Sequence, residues 1–90
     1  MPEIIHHEEQ GRFEMLVEGH LCELDYQLRN GAMAILHTGV PDAVGGRGIA
    51  GQLTRAALDT ARQRGWQVQP VCSYAASYLD RHPEYHDLLA

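Results

Sequence analysis

The residues with the strongest claim to chemistry lie in Val44-Gly45-Gly46-Arg47-Gly48-Ile49-Ala50-Gly51-Gln52-Leu53, where four glycines fall within seven positions. Glycine lets backbone approach a ligand closely and adopt positive φ. The stretch runs directly into a helical pattern. A helix starting there turns its free N–H groups, and the positive end of its dipole, back into the loop. Together these make an anion cradle suited to phosphate, with Arg47 adding a fixed positive charge. The plainer reading is a flexible turn ahead of a helix. Two further residues offer chemistry. Cys72 follows an apolar stretch and precedes a helical pattern starting near Ser73, and N–H groups aimed at its sulfur favour thiolate while burial opposes it. Cys22 lies within a strand pattern and has no such dipole, so Cys72 is expected to be the more reactive thiol. His37, at a strand end, and His82 can move protons. His6, His7, His20 and His86 show no metal-ligand spacing and read as surface residues. No metal site is expected.

The elements that must position these residues follow from periodicity. Residues 3–8, with Ile4-Ile5, read as an edge-like strand, and Gly11 as a turn. Phe13, Met15 and Val17 alternate with Glu14 and Glu18, a half-buried strand that Leu16 blurs. Gly19-His20 reads as a hairpin turn. Residues 21–28 alternate Cys22, Leu24, Tyr26 and Leu28 against Glu23, Asp25 and Gln27. Asn30-Gly31 is a hairpin turn. The nearly continuous apolar run over 32–37 predicts a central strand covered on both faces. Pro41 ends it. Ile49, Leu53, Ala57 and Ala61 recur every four residues and predict an amphipathic helix ending near Arg64, with Gly65 as its cap. Residues 66–72 read as a last strand. Ser73 or a neighbour caps a helix through Tyr78 and Leu79 that Pro83 stops, and 86–90 read as a loose tail. The order is β-β-β-β-α-β-α in one domain over 1–90: an α+β fold with a mixed sheet, a four-strand antiparallel meander, then a β-α-β crossover and a C-terminal helix.

Composition narrows the function. All seven basic side chains are arginine, and the net charge is −5 with His neutral. That balance disfavours a nucleic-acid partner held by phosphate contacts. No apolar run approaches membrane-spanning length and no secretory signal is evident, so no membrane partner is expected. Two distant cysteines read as reduced thiols in a cytoplasmic protein. The glycine loop is not a Walker loop, since no Lys-Ser or Lys-Thr follows it. It is also a poor dinucleotide fingerprint, because three other strands precede the strand that leads into it.

The order and the loop resemble the GNAT acyl-CoA N-acyltransferases. Their pyrophosphate motif, Arg/Gln-x-x-Gly-x-Gly/Ala, maps onto Gly45-Gly46-Arg47-Gly48-Ile49-Ala50, with Gly45 standing where the motif has Arg or Gln. The segments His37-Thr38-Gly39-Val40-Pro41, Gly46-Arg47-Gly48-Ile49-Ala50, Pro70-Val71-Cys72-Ser73-Tyr74 and His82-Pro83-Glu84-Tyr85 are similar to the short YjdJ-type members, across nearly the whole chain. The resemblance implies acetyl-CoA as cofactor. Its pantetheine arm would lie between two splayed parallel strands and pair with backbone of Thr38 to Val40. N–H groups from Gly46 to Ala50 would hold the pyrophosphate. The thioester would reach the junction at Cys72, beside Ser73 and Tyr74. It implies acetyl transfer to a small-molecule or protein amine. His37 and His82 are the candidate bases for the amine proton, with His37 otherwise a hydrogen-bonded histidine ending a strand, and Cys72 is either an acyl acceptor or a packed thiol. A CoA-binding or interaction module without turnover is the alternative. The acceptor's identity and the oligomeric state are left open.

Overall fold

The computed structural model describes residues 2–90. Four strands, β1 (Ile4–His7), β2 (Arg12–Val17), β3 (His20–Arg29) and β4 (Ala32–Gly39), form an antiparallel meander. Helix α1 (Ile49–Arg64) leads to β5 (Gln67–Pro70), which pairs parallel with β4, and α2 (Ser73–Arg81) follows. The sheet order is β1-β2-β3-β4-β5. Short 3-10 turns cover Glu8–Gln10, Asp42–Val44 and Pro83–Leu88. This is the mixed sheet and element order expected. Among the described residues no helix is long and apolar enough to cross a membrane.

Both hairpins close through two-residue loops whose members have positive φ, as the right-handed twist of the flanking strands requires: Glu18 and Gly19, then Asn30 and Gly31. The first turn therefore lies one residue earlier than expected, and His20 opens β3 opposite Val17. Inward residues of the sheet, Phe13, Met15, Leu24, Met33 and Ile35, meet Leu53, Ala57, Leu58 and Ala61 of α1 and Ala75 and Leu79 of α2 in one buried cluster. Each such leucine contributes about 1.5–3 kcal/mol by leaving water. The other face of the sheet carries no helix and is polar, with Leu16 and Leu21 opposite one another and exposed. β4 is therefore covered by helices on one face only. Ala32 and Ala34 are buried because they are small, whereas Leu36 and His37 are exposed. Leu28 also departs from the alternation: it lies at the hairpin end and lines a surface hollow of about 330 Å3 with Tyr26 and Trp66.

Three further expectations are corrected. β5 is shorter than the 66–72 read from the sequence, because Val71 N–H turns back to Gln69 O at 3.1 Å instead of continuing the ladder, in a tight turn centred on Pro70, whose fixed φ suits it. The residues after Arg81 are folded. Tyr85 and Leu88 enter the core, Leu89 bridges to Val68, and Ala90 N–H donates to Val68 O. His6 is half-buried: its ring stacks on Phe13 at 4.1 Å and its Nε2 lies 2.6 Å from the Tyr26 hydroxyl.

Candidate functional site

The site is a consequence of unequal strand lengths. β4 and β5 pair only from Ala32↔Gln67 to Ile35↔Pro70, with one more bond from Cys72 N–H to Ile35 O at 2.8 Å. β4 continues through Gly39, still paired to β3 by His37↔Asp25, Thr38↔Leu24 and Gly39↔Glu23. Its other edge, over 36–39, has no partner strand. Unpaired backbone groups at such an edge need an amide-like partner or water.

The glycine loop stands beyond this open edge. Gly46 and Gly48 have φ +74° and +76°, and Gly48 is the N-cap of α1 without any side-chain cap. The first intrahelical bond runs from Gln52 N–H to Gly48 O, so the earlier N–H groups of α1 have no intrahelical acceptor. Ile49 is buried and anchors the helix start, while Gly45, Gly46, Arg47 and Gly48 are exposed. A Cβ on Gly46 or Gly48 would meet nothing within 4 Å, so the space over them is open. Arg47 is not free. Its Nη1 donates to Glu18 Oε2 at 2.6 Å and its Nη2 to Glu18 Oε1 at 3.4 Å. At Gly51, α1 faces α2: a Cβ there would lie in ordinary contact with the Tyr74 hydroxyl, at 3.4 Å.

Cys72 lies where the two strands part. It is itself the N-cap of α2, so Ser73 is the first helical residue rather than the cap. Burial pushes its thiol up, but the N–H groups of Ala75 and Tyr74, with the hydroxyl and backbone of Thr38, outweigh it and the net shift is downward. Thr38 Oγ1 is 3.7 Å from the sulfur. Cys22, fully buried, has its thiol raised by burial and by Glu23. The thiol contrast expected from sequence is present in direction. Both cysteines are unpaired.

His37 stands on the opposite side of the sheet. Thr38 turns toward Cys72, so strand alternation turns His37 and Gly39 the other way. His37 Nε2 lies 3.8 Å from Glu23 Oε1. Glu23, Asp25 and His37 bring their polar atoms within 4.8 Å of one another, but the Arg12 guanidinium sits on Asp25 at 2.7 Å, which opposes a divalent cation there. The structure brings Thr38 beside Cys72 where β4 and β5 part, and Tyr74 beside Gly51 of α1. It separates His37 from Cys72, so the two form no nucleophile–base pair. His82, the other candidate base, is structural: Nδ1 contacts Tyr78 O at 2.7 Å and the ring stacks on Tyr78. Sequence reading missed Glu18, Glu23 and Gly39. Glu18 and Glu23 looked like ordinary solvated strand residues, and only strand register brings them to the loop and to β4.

The sequence profile of the GCN5-related N-acetyl-transferases matches residues 12–88. The chain belongs to this family. It is similar to Protein NATD1 of Gallus gallus and of Mus musculus, each 43% identical over 47 residues, 52% of this chain and 43% of the relative. The match thus spans less than half the length of these curated relatives. A GCN5-like protein from Staphylococcus aureus, solved in solution by NMR, superposes with a TM-score of 0.77 at 30% identity, covering 98% of this chain and 87% of that one. The GNAT fold explains the meander, the parallel β4–β5 pair and the loop between β4 and α1 as one arrangement.

Proposed function

We propose that this protein binds acetyl-CoA in the gap between β4 and β5 and transfers the acetyl group to an amine. The observation that carries the reading is the half-paired β4, whose unpartnered edge leads from Cys72 toward the uncapped start of α1. The residues present suit the group. Backbone of Thr38 to Val40 would pair with the pantetheine amides. N–H groups of Gly46, Arg47, Gly48, Ile49 and Ala50 would hold the pyrophosphate, and Gly45 costs only one side-chain contact. Ser73 and Tyr74 would border the arm near its thioester end. When bound, acetyl-CoA supplies an acyl carbon and a thiol leaving group. His37 then takes the proton that the acceptor amine must lose. Because Cys72 lies on the helix side of the sheet and His37 on the open side, direct transfer is the favoured route. Cys72 as acyl acceptor is the second route, favoured by its lowered pKa. Two unpaired thiols suit a reducing cytoplasm.

The test is incubation with radiolabelled acetyl-CoA, with and without an amine panel. Label appearing on amines, lost in His37→Gln and retained in Cys72→Ser, supports direct transfer. Label on the protein that Cys72→Ser abolishes supports the acyl-cysteine route. Tight CoA binding with neither outcome would make the chain a CoA-binding module.

A further inference from the structure

The end of the molecule away from the glycine loop carries the hollow that Leu28 lines. Leu28 pairs with Met33 at the start of β4, and Trp66 follows Gly65, the C-cap of α1. α1 has 16 residues and is about 24 Å long, so this hollow and the loop at the other end of the helix are separate places. The hollow has a volume of about 330 Å3, and Tyr26, Leu28 and Trp66 give it an apolar lining beside the turn at Glu8–Gln10. Close backbone packing builds that wall. Gly11 N–H donates to Glu8 O at 3.1 Å, and Tyr26 N–H donates to Gly11 O at 2.8 Å. A Cβ on Gly11, whose φ is +66°, would collide with the Tyr26 carbonyl. Glycine is what lets the turn lie against β3 and shape the hollow.

Charge decides what suits this lining. All seven guanidiniums are engaged within the chain. Arg12, Arg47, Arg62 and Arg64 meet carboxylates at 2.6–2.7 Å, and Arg55 meets Asp59 at 3.8 Å. Arg29 bonds to Gln27 and Arg81 to Ser77. The net charge of −5 therefore resides on carboxylates that no guanidinium answers. At the hollow, Glu8 is committed to Arg64 at 2.7 and 2.8 Å, and that guanidinium lies over the Trp66 ring at 5.4 Å. Glu9 also lines the hollow, is exposed, and makes no ion pair among the described residues. Arg29 does not serve it, because strand alternation puts Arg29 and Gln27 on the face of β3 opposite Tyr26 and Leu28.

We infer that this hollow docks a basic segment of a partner protein: one aliphatic side chain of the segment sits on Tyr26, Leu28 and Trp66, and a neighbouring basic side chain meets Glu9. The anchor is aliphatic because the lining is apolar and Leu28 is 49% exposed, surface that only an apolar group gains by covering. Tyrosine and tryptophan are also the residues around which interface binding energy concentrates. The volume lies at the lower limit for small-molecule pockets. It suits a single side chain whose flanking backbone runs over the rim. The surplus of free carboxylates attracts a basic partner and repels an acidic one. Docking here needs neither CoA nor acetyl transfer.

Trp66 is the only tryptophan, so its emission reports on the hollow directly. The experiment titrates three tripeptides, blocked at both ends, into the protein: leucyl-arginyl-arginine, its charge-reversed form leucyl-glutamyl-glutamate, and glycyl-arginyl-arginine, which lacks the anchor. The first should change Trp66 emission saturably, and the other two should bind at least roughly tenfold more weakly. Leu28→Ser should weaken the first peptide roughly tenfold. Glu9→Gln should weaken it roughly threefold and flatten its salt dependence, as for an exposed charge pair. Both side chains lie at the surface, so urea midpoints should stay near that of the parent protein. Saturating CoA should leave the peptide affinity unchanged. Silence with all three peptides would overturn the inference. So would equal binding of the charge-reversed peptide or of the one without leucine. Loss of binding with CoA present would move the peptide to the β4–β5 gap and remove this site. Trp66 emission that depends on protein concentration without peptide would make a second copy the occupant, which also overturns it.

Discussion

The two halves of β4 share a strand and differ in what completes them. Over 32–35 the backbone is laddered to β3 on one side and β5 on the other, and all four residues are buried. Over 36–39 only β3 remains, and no residue is fully buried. The first half holds the fold together, and the second keeps one edge without a partner strand among the described residues. The change is set by one proline. The chain makes a tight turn centred on Pro70, which takes the Val71 N–H back to Gln69 O, and Cys72 is left at the fork. A binding edge can thus be made from an ordinary central strand by shortening its neighbour.

The largest effect should separate the halves by stability. Ile35→Ala removes a fully buried side chain and should cost about 2–5 kcal/mol in urea unfolding. Thr38→Ala, three residues on in the same strand, should cost less than about 1 kcal/mol, because the residue is half-exposed and loses chiefly its contact to the Cys72 sulfur. Equal losses would mean that the second half is as much a part of the core as the first.

The next contrast is between the two cysteines, one buried within β3 and one at the fork. Cys72 has its pKa lowered and Cys22 has its raised. Only thiolate is alkylated, so iodoacetamide should modify Cys72 at least roughly tenfold faster near pH 7.5, with a pH midpoint below that of Cys22. The sign for stability is opposite at the two positions. A raised thiol pKa favours the fold fully below the unfolded value, and that contribution is lost as pH rises through the folded one. Cys22 should therefore weaken the fold in alkali and Cys72 should not. Saturating CoA should slow alkylation at Cys72 alone. Mass spectrometry of the two labelled peptides reads all of this, and equal rates at both cysteines would leave Cys72 as packing.

Much of this arrangement was legible in the sequence. The hairpin signals, the four-residue period of α1 and the glycines before it gave the element order, because each is a local preference acting within a few residues. The end of β5 was harder to read. Val71 looks like strand, and only the tight turn centred on Pro70, which takes its N–H, decides against it. The C-terminal turn was harder still, because Tyr85 and Leu88 are fixed by a core that no local pattern announces. The site divided in the same way. The loop and Cys72 are local in sequence and could be read. The contacts of Glu18 with Arg47 and of Glu23 with His37 span 29 and 14 positions and exist only through strand register.

The two ends of α1 can also be set against each other. Gly48 and Gly65, at the two ends of α1, have φ of +76° and +71° and open space where a Cβ would go. Alanine at either should therefore cost the same backbone strain, about 1–2 kcal/mol. Only Gly48→Ala puts a methyl between the loop and a phosphate, so only that variant should weaken CoA binding, roughly tenfold or more by calorimetry. Matching losses of affinity in both variants would assign the effect to helix strain and remove the cradle.

The smallest effect concerns the one cation of the loop. The Arg47 guanidinium is held by Glu18, whose own φ of +50° fixes it in the β2–β3 turn. A pyrophosphate in the loop would compete with that carboxylate for Arg47, and until Arg47 exchanges partners its charge is offset by Glu18. Both side chains are well exposed, so salt screens the pair as it screens the phosphate contact. Arg47→Ala alone should lower CoA affinity only a few-fold, because part of the charge was already neutralised. Glu18→Gln should raise affinity by a similar factor, since it removes a negative charge beside the phosphates and frees the arginine. The gain should shrink as salt rises, and a pantetheine lacking the phosphates should register neither substitution. The double variant decides between two roles for Glu18. If Glu18→Gln still raises affinity without Arg47, the carboxylate repels the phosphates directly. If the gain disappears with the arginine, Glu18 acts by holding it. A loss of affinity in Glu18→Gln would instead mean that the ion pair shapes the loop for its ligand.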